Sequence, residues 1–375
     1  MKKALIVATV VKKHIMQFHL PTLEMLKDNG WETHVAGGND YINPSDCRIP
    51  HCDVYHEIDF ARFPFHVKNI KAYRELKKII DKGGYDLIHC HTPVGGVLTR
   101  LAARGARKKG TKVFYTAHGF HFFKGAPLLN WLIYYPVEWL CSYMTDCIIT
   151  VNEEDYRRAK KRFRAKNTEK INGVGVNVEA SKNTDAENTG KDMGITEDDI
   201  VLLSVGEVRK LKNHKTIIKA MAMLLEKRIH YIIAGEGNLE KELVKLAESL
   251  GVSDRVHLLG YRNDISALIG MSDIFCFPSY REGLSVAVME AMAGGLPVLA
   301  SRIRGNTDLI DEGMGGFLYR PDDVDGFAEG IEKLCADRQC AREMTQYNLK
   351  KIKMYDVVAV CAQLRKIYNE NGVEL

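Results

Sequence analysis

Residues 273–301 read DIFCFPSYREGLSVAVMEAMAGGLPVLAS, and the architecture of the chain is clearest here. The apolar head, DIFCFPS, has the length and continuity of a strand buried on both faces. A polar loop follows and presents Glu282. Gly283 and Leu284 lead into a predicted helix that begins near Ser285 and carries Glu290 in its second turn, eight residues after Glu282. LPVLAS supplies the next strand. Strand, loop, helix and strand in this order form a unit of a parallel sheet. The free N–H groups and the dipole at the helix start make an anion site suited to a diphosphate. A loop glutamate beside it suits sugar hydroxyls, and a glutamate one turn in suits a ribose diol. The plainer alternative is an ordinary strand–loop–helix with two solvated glutamates.

The alternation extends upstream through DIVLLSVG (from Asp199), HYIIAGEG (from His230) and RVHLLGY (from Arg255). The first half repeats it with ALIVATV (from Ala4), THVAGG (Thr33), DLIHCH (Asp86), KVFYTAH (Lys112) and DCIITVN (Asp146). Amphipathic patterns lie between these runs, such as HVKNIKAYRELKKIIDKG from His66 and VGGVLTRLAARGARKKG from Val94. SKNTDAENTGKD, from Ser181, has no apolar residue except one alanine and reads as a solvated linker. With 375 residues the chain suits two domains. The expected class is α/β, with two Rossmann-like, doubly wound domains at 1–180 and 194–352, joined by a linker over 181–193. The amphipathic VVAVCAQLRKIYNEN, from Val357, is the core of a last helical segment, 353–375, expected to pack back towards the first domain. Ligands of such sheets sit outside the carboxyl ends of the strands, so two facing domains would share one cleft.

The passage from Glu282 to Glu290 resembles the Glu-x7-Glu motif of family 4 glycosyltransferases, and AMAGGLPVLAS is similar to the family's sequence after it. The likeness runs from the first strand to the last helix. It implies the GT-B fold, retention of anomeric configuration, an acceptor-side first domain and a nucleotide-sugar-binding second one. By this resemblance Glu282 contacts the donor sugar and Glu290 the ribose, with Gly283, Leu284 and Ser285 near the phosphates.

In LLSVGEVRKLKNHKTIIKAMA, from Leu202, a strand ends at Gly206 and a basic loop precedes a helix opening around Asn213 or His214. In the family this loop supplies an arginine and a lysine that neutralise the departing nucleoside diphosphate. Lys212 falls on the lysine position. Glu207 stands where many members carry the arginine, a departure similar to the GE…KNH variant of relatives that build bacterial surface polysaccharides. Arg209 is the candidate replacement, with a basic surface loop as the equal alternative. The resemblance also places Gly235, Glu236 and Gly237 in the nucleotide-binding half, and Tyr261 and Arg262 around the base. Cleaving a nucleotide sugar leaves charge on the diphosphate that some cation must stabilise. The Asp198–Asp199 and Asp322–Asp323 pairs fall at turns or helix starts rather than strand ends, so lysine, arginine and helix N–H groups replace a metal. No metal and no cofactor beyond the nucleotide-sugar co-substrate is expected.

In KVFYTAHGFHFFKG, His118 ends a strand, so its side chain is expected to point into the cleft between the domains, where the family has a histidine touching the donor sugar; His121 is the second choice. His89, His91 and Thr92 end another strand at the same edge. They read either as acceptor-side residues or as satisfied structural ones. Phe18 to Pro21 resembles the Phe-x-x-Pro pattern of polysaccharide-assembly relatives and puts Phe18 on the acceptor side.

The net charge of +5 hides an asymmetry: residues 1–180 hold 28 Lys+Arg against 18 Asp+Glu, and residues 181–375 hold 25 against 30. A basic front half suits an anionic partner. No nucleic-acid motif is present, and lipid or a phosphate-bearing acceptor fits better. Trp131, Tyr134, Tyr135, Trp139 and Tyr143 stand in an apolar stretch ahead of a basic run from Arg157 to Lys166. This reads equally as a lipid-interface anchor or as a buried helix with a solvated basic helix behind it. The nine cysteines show no pairing pattern and fit reduced thiols of a cytoplasmic protein. Cys47 and Cys52, with His51 and His56 near, lack the second pair a zinc site needs. No apolar run reaches the roughly 20 residues of a membrane span, and Lys12 and Lys13 close the first apolar run before any leader cleavage site.

The expected activity is transfer of a hexose or N-acetylhexosamine from a nucleotide sugar, a UDP-sugar first, to a lipid-linked or soluble glycan. A polyprenyl-diphosphate-linked acceptor at the inner face of a bacterial membrane is the leading choice. The alternatives are a UDP-sugar epimerase of the same architecture and a non-catalytic assembly partner. A nicotinamide oxidoreductase ranks low, because VATVVKKHIM lacks the GxGxxG that would follow its first strand.

Overall fold

The computed structural model describes residues 1–61, 63–180, 193–224 and 228–375. All of the expected linker except Met193 lies outside the described residues. The chain divides into two compact units, one of residues 1–175 with 357–375 and one of residues 176–356.

In the first unit seven parallel strands run β1 (Lys3–Val10), β2 (Glu32–Gly38), β3 (Val54–Glu57), β4 (Leu87–His91), β5 (Lys112–Ala117), β6 (Cys147–Thr150) and β7 (Asn167–Lys170). Their spatial order is β3-β2-β1-β4-β5-β6-β7. In the second unit the strands are β8 (Ile200–Val205), β9 (Ile229–Ala234), β10 (Val256–Leu258), β11 (Ile274–Phe277), β12 (Val298–Ser301) and β13 (Gly316–Tyr319). Their order is β10-β9-β8-β11-β12-β13. Counted from its own first strand, each sheet begins 3-2-1-4-5-6. Strand order therefore reverses between β1 and β4 in one unit and between β8 and β11 in the other. Helices leave on opposite faces at a reversal, which opens a crevice at the carboxyl ends of the two strands.

Both faces of these sheets are covered, which is why their strands read as continuous apolar runs. On β8, Leu203 joins one hydrophobic cluster with Phe275, Val298 and Met289, while neighbouring Leu202 joins another with Tyr231, Ile218 and Phe327. The strands absent from the sequence reading, β3, β7 and β13, lie at sheet edges. VYHE and NTEK are polar there because an edge strand has less apolar surface to hide.

The chain enters the second unit at Val176 and leaves it at Asp356, two residues that pair in a parallel bridge. The last helix, Val357–Glu370, belongs to the first unit, where Tyr368 is fully buried and bonds to His89. The helical pattern from Val94 is broken: one helix, Pro93–Ala102, stops and Arg104–Lys108 follows.

Helix Leu128–Ser142 holds the aromatic stretch. Trp131, Tyr134, Tyr135 and Trp139 pack against the core of the unit, whereas Leu128, Leu129, Leu132 and Leu140 are exposed. No helix among the described residues is long and apolar enough to cross a membrane. The same helix turns Glu138 inward onto Arg100, a fully buried arginine 2.8 Å from the carboxylate and stacked 3.9 Å over the Tyr115 ring. Such a pair is costly to break from one side, because the remaining charge stays buried. Glu138→Leu should therefore destabilise the first unit by about 3–5 kcal/mol, read as an earlier transition in urea unfolding. A loss below about 1 kcal/mol would show that Arg100 finds another partner.

Candidate active site

The two loops that flank the β8/β11 crevice carry Lys212 and Glu282. Lys212 Nζ lies 2.9 Å from Glu282 Oε1, with side chains 23% and 16% exposed. The ammonium also sits 4.7 Å over the Phe277 ring at the end of β11. Backbone contacts fix both loops: Tyr280 N–H donates to the Leu211 carbonyl, and Val208 N–H donates to that of Glu236. Buried Arg304 donates from Nε to the Glu282 carbonyl at 3.1 Å. Asn213, also buried and at φ 58°, gives its amide to the carbonyls of Pro278 and Pro321, bracing the loops rather than facing solvent.

The glycines of this region serve close approach between loops. A Cβ on Gly235 would lie 2.0 Å from the Gly206 carbonyl oxygen, and one on Gly237 would lie 2.1 Å from that of Val208. Glu236 is exposed beside them. Gly283 and Leu284 rest against Gly305, where a Cβ would meet the Gly283 oxygen at 2.4 Å. Ser285 then caps helix Val286–Ala293, its hydroxyl accepting from the Val288 N–H. Glu290 stands in the second turn with no hydrogen-bond or ion-pair partner among the described residues, and burial raises its carboxyl to about 7.

Other predicted donor residues lie more openly. Arg209 is exposed and pairs with Glu207 at 3.3 Å. It lines a cavity of about 350 Å³ with Lys210, Asn213, His214 and Lys215, to which neither Lys212 nor Glu282 contributes. Tyr261 is exposed, and Arg262 forms an ion pair with Asp264.

In the first unit, His118 follows β5 with Nε2 3.3 Å from Nδ1 of His91, the last residue of β4. His14 and His19 join them, and neither was singled out in the sequence. Burial holds His14 down to about 4, and burial with the neighbouring imidazoles holds His19, His91 and His118 well below the usual range. His89, by contrast, is satisfied, with one nitrogen on Tyr368 and the other on Thr116. Thr92 bonds internally to Thr9 and to the His91 carbonyl, Phe18 stands edge-on to His14, and His121 stacks on Tyr134. Only a fold could reveal Arg304 and the His14–His19 contribution, since no periodicity or motif marks them.

Residues 3–152 match the family described as Glycosyl transferase 4-like, and residues 185–351 match Glycosyl transferases group 1. EpsD of Bacillus subtilis (strain 168) is 42% identical over 376 residues, covering 98% of this chain and 97% of its own. The UDP-Gal:alpha-D-GlcNAc-diphosphoundecaprenol alpha-1,3-galactosyltransferase of Escherichia coli is 28% identical over 80% of each chain. Among solved structures, Anabaena HepE in complex with UDP has a TM-score of 0.83 at 20% identity, covering 99% of this chain and 100% of that one. The chain belongs to this glycosyltransferase family and has the two-domain α/β GT-B fold.

Glu290 generates a prediction of definite sign. A carboxyl whose folded pKa lies above its ordinary 4.5 holds its proton more tightly when folded, so its contribution is full below 4.5 and fades as pH rises towards 7. Stability should fall by roughly 1–2 kcal/mol across that window, less than full burial would give. Glu290→Gln should flatten this slope in pH-dependent thermal unfolding; an unchanged slope would show that another group produces it.

Proposed function

We propose that this glycosyltransferase moves a hexose or N-acetylhexosamine from a UDP-sugar to a glycan, with retention and without a metal on the diphosphate. The observation that carries the reading is Lys212 held against Glu282 at the strand-order reversal of the second unit. A diphosphate arriving there meets an ammonium and the capped start of helix Val286–Ala293. As Lys212 turns to phosphate, Glu282 is released to accept from sugar hydroxyls. Glu290, unpartnered one turn in, is suited to two ribose hydroxyls once ionised. His118 is assigned to the donor sugar.

In the reaction, the bond between the anomeric carbon and the diphosphate oxygen breaks. The acceptor hydroxyl forms its bond on the same face, and its proton passes to the departing diphosphate. Lys212 stabilises the charge that develops there, so no protein carboxylate need act as nucleophile. UDP as the carrier is supported by the UDP-bound neighbour and by the activity for which the E. coli relative is named. The same relative's diphosphoundecaprenol acceptor supports a polyprenyl-diphosphate-linked glycan, in surface polysaccharide synthesis at the inner face of the membrane. The exposed leucines of helix Leu128–Ser142 and exposed Lys160, Lys161 and Arg162 support contact with an anionic bilayer.

Incubation with UDP-sugars should give UDP release stimulated by lipid-linked acceptor. Lys212→Ala and Glu282→Ala should each lower that turnover by about 10²–10³-fold. Unchanged turnover in both variants would refute the site. Conversion of one UDP-sugar to another with no acceptor would identify an epimerase instead.

A further inference from the structure

The other strand-order reversal, between β1 and β4, gathers histidines of which only His118 has a place in the proposed sugar transfer. His14 lies in a five-residue π-helical turn, Val11–Ile15, directly after β1. Such turns re-aim side chains and are frequent at functional sites. His91 ends β4, and the residue after it, Thr92, is held at φ 63°, a conformation a threonine adopts only when its surroundings impose it. His118 follows β5, and His19 comes from the chain beyond the π-turn.

Four imidazoles therefore meet in one place, each offering a ring nitrogen within 4.8 Å of the others. His19 stacks on His91 at 3.7 Å between ring centres, and His14 is 5.0 Å from His118. Nε2 of His14, of His19 and of His91 is buried without a hydrogen-bond partner. His19 and His91 are only 4% and 2% exposed. An orphaned buried nitrogen is costly, so three in one cluster call for an occupant that bonds to them. A cavity of about 30 Å³, bordered by His19, His91 and His118, has room for a single ion or water.

We propose that His14, His19, His91 and His118 bind one divalent transition-metal ion of the zinc class. Tetrahedral coordination by imidazole, with bonds of about 2.0–2.1 Å, sets neighbouring nitrogens about 3.3–3.4 Å apart. The four ring nitrogens, within 4.8 Å of one another, would draw together around the ion. An all-imidazole set favours zinc, copper or nickel over magnesium and calcium, which require oxygen. Coordination through one nitrogen fixes the other as an N–H donor, giving His118 a single tautomer. The ion is not a counter-ion of the diphosphate, whose proposed grip belongs to the second unit. The site stands on these residues alone, whether or not His118 touches a sugar.

The test uses untagged full-length protein without nucleotide, stripped with chelator and dialysed against Zn²⁺, with metal content measured by atomic emission. About one equivalent per chain should be retained, and Co²⁺ in its place should give the intense visible bands of four-coordinate cobalt. His14→Gln, at the partly buried rim, should weaken binding roughly ten- to a hundredfold with the fold intact by circular dichroism. His14→Gln/His19→Gln should abolish it, while Cys47→Ser/Cys52→Ser should leave it unchanged. Retention below about a tenth of an equivalent overturns the proposal, as does binding that survives the histidine pair or disappears with the cysteines.

Discussion

The second unit is organised by one electrostatic constraint: an ammonium and a carboxylate, both mostly out of water, held together by loops from adjacent strands. Parallel pairing of β8 with β11 sends both loops to the same edge, and the reversal of strand order leaves room between them. Neither Lys212 nor Glu282 could stay there alone without the cost of an unpaired, partly buried charge. Their pairing in the ligand-free protein therefore keeps the crevice folded and neutral. In the proposed reaction a diphosphate replaces the carboxylate as the partner of Lys212, so desolvation already met by the fold is turned towards the ligand. The surrounding features follow from this constraint. Arg304 pins the Glu282 backbone, Asn213 braces three loops, and Gly235 and Gly305 let backbones approach where any side chain would collide.

Much of this was legible in the sequence, for identifiable reasons. Central strands such as IVLLSV and IFCF must be apolar on both faces, so they announce themselves without alignment. Edge strands need not be, and VYHE and NTEK gave no signal. Glu282, Ser285 and Glu290 could be read because loop, cap and helix are contiguous. Lys212 was reached through family resemblance, but its contact with Glu282, seventy residues on, is a property of the sheet. Arg209, the candidate for the charge missing at Glu207, pairs with that glutamate at the surface, a contact that sequence position alone does not give. Arg304 left no trace, since an arginine after a strand is usually a surface residue.

The first unit repeats the geometry with different chemistry. Its reversal gathers imidazoles where the second unit gathers opposite charges, although both sheets wind alike. The basic excess of this half is partly internal: Arg107 pairs with Asp146, Arg157 with Glu153 and Arg158 with Glu154. Lys160, Lys161 and Arg162 remain exposed after those pairs are formed, and they are the charges open to an anionic acceptor or surface.

UDP and UMP share base and ribose and differ by the phosphate assigned to Lys212, so their affinities isolate the central claim. Calorimetric titration of both ligands into the wild type and Lys212→Met forms a closed cycle. The account predicts that the wild type prefers UDP by about tenfold or more, and that the substitution erases this preference while leaving UMP binding nearly unchanged. A variant that keeps the full UDP preference, or loses both ligands equally, would contradict it.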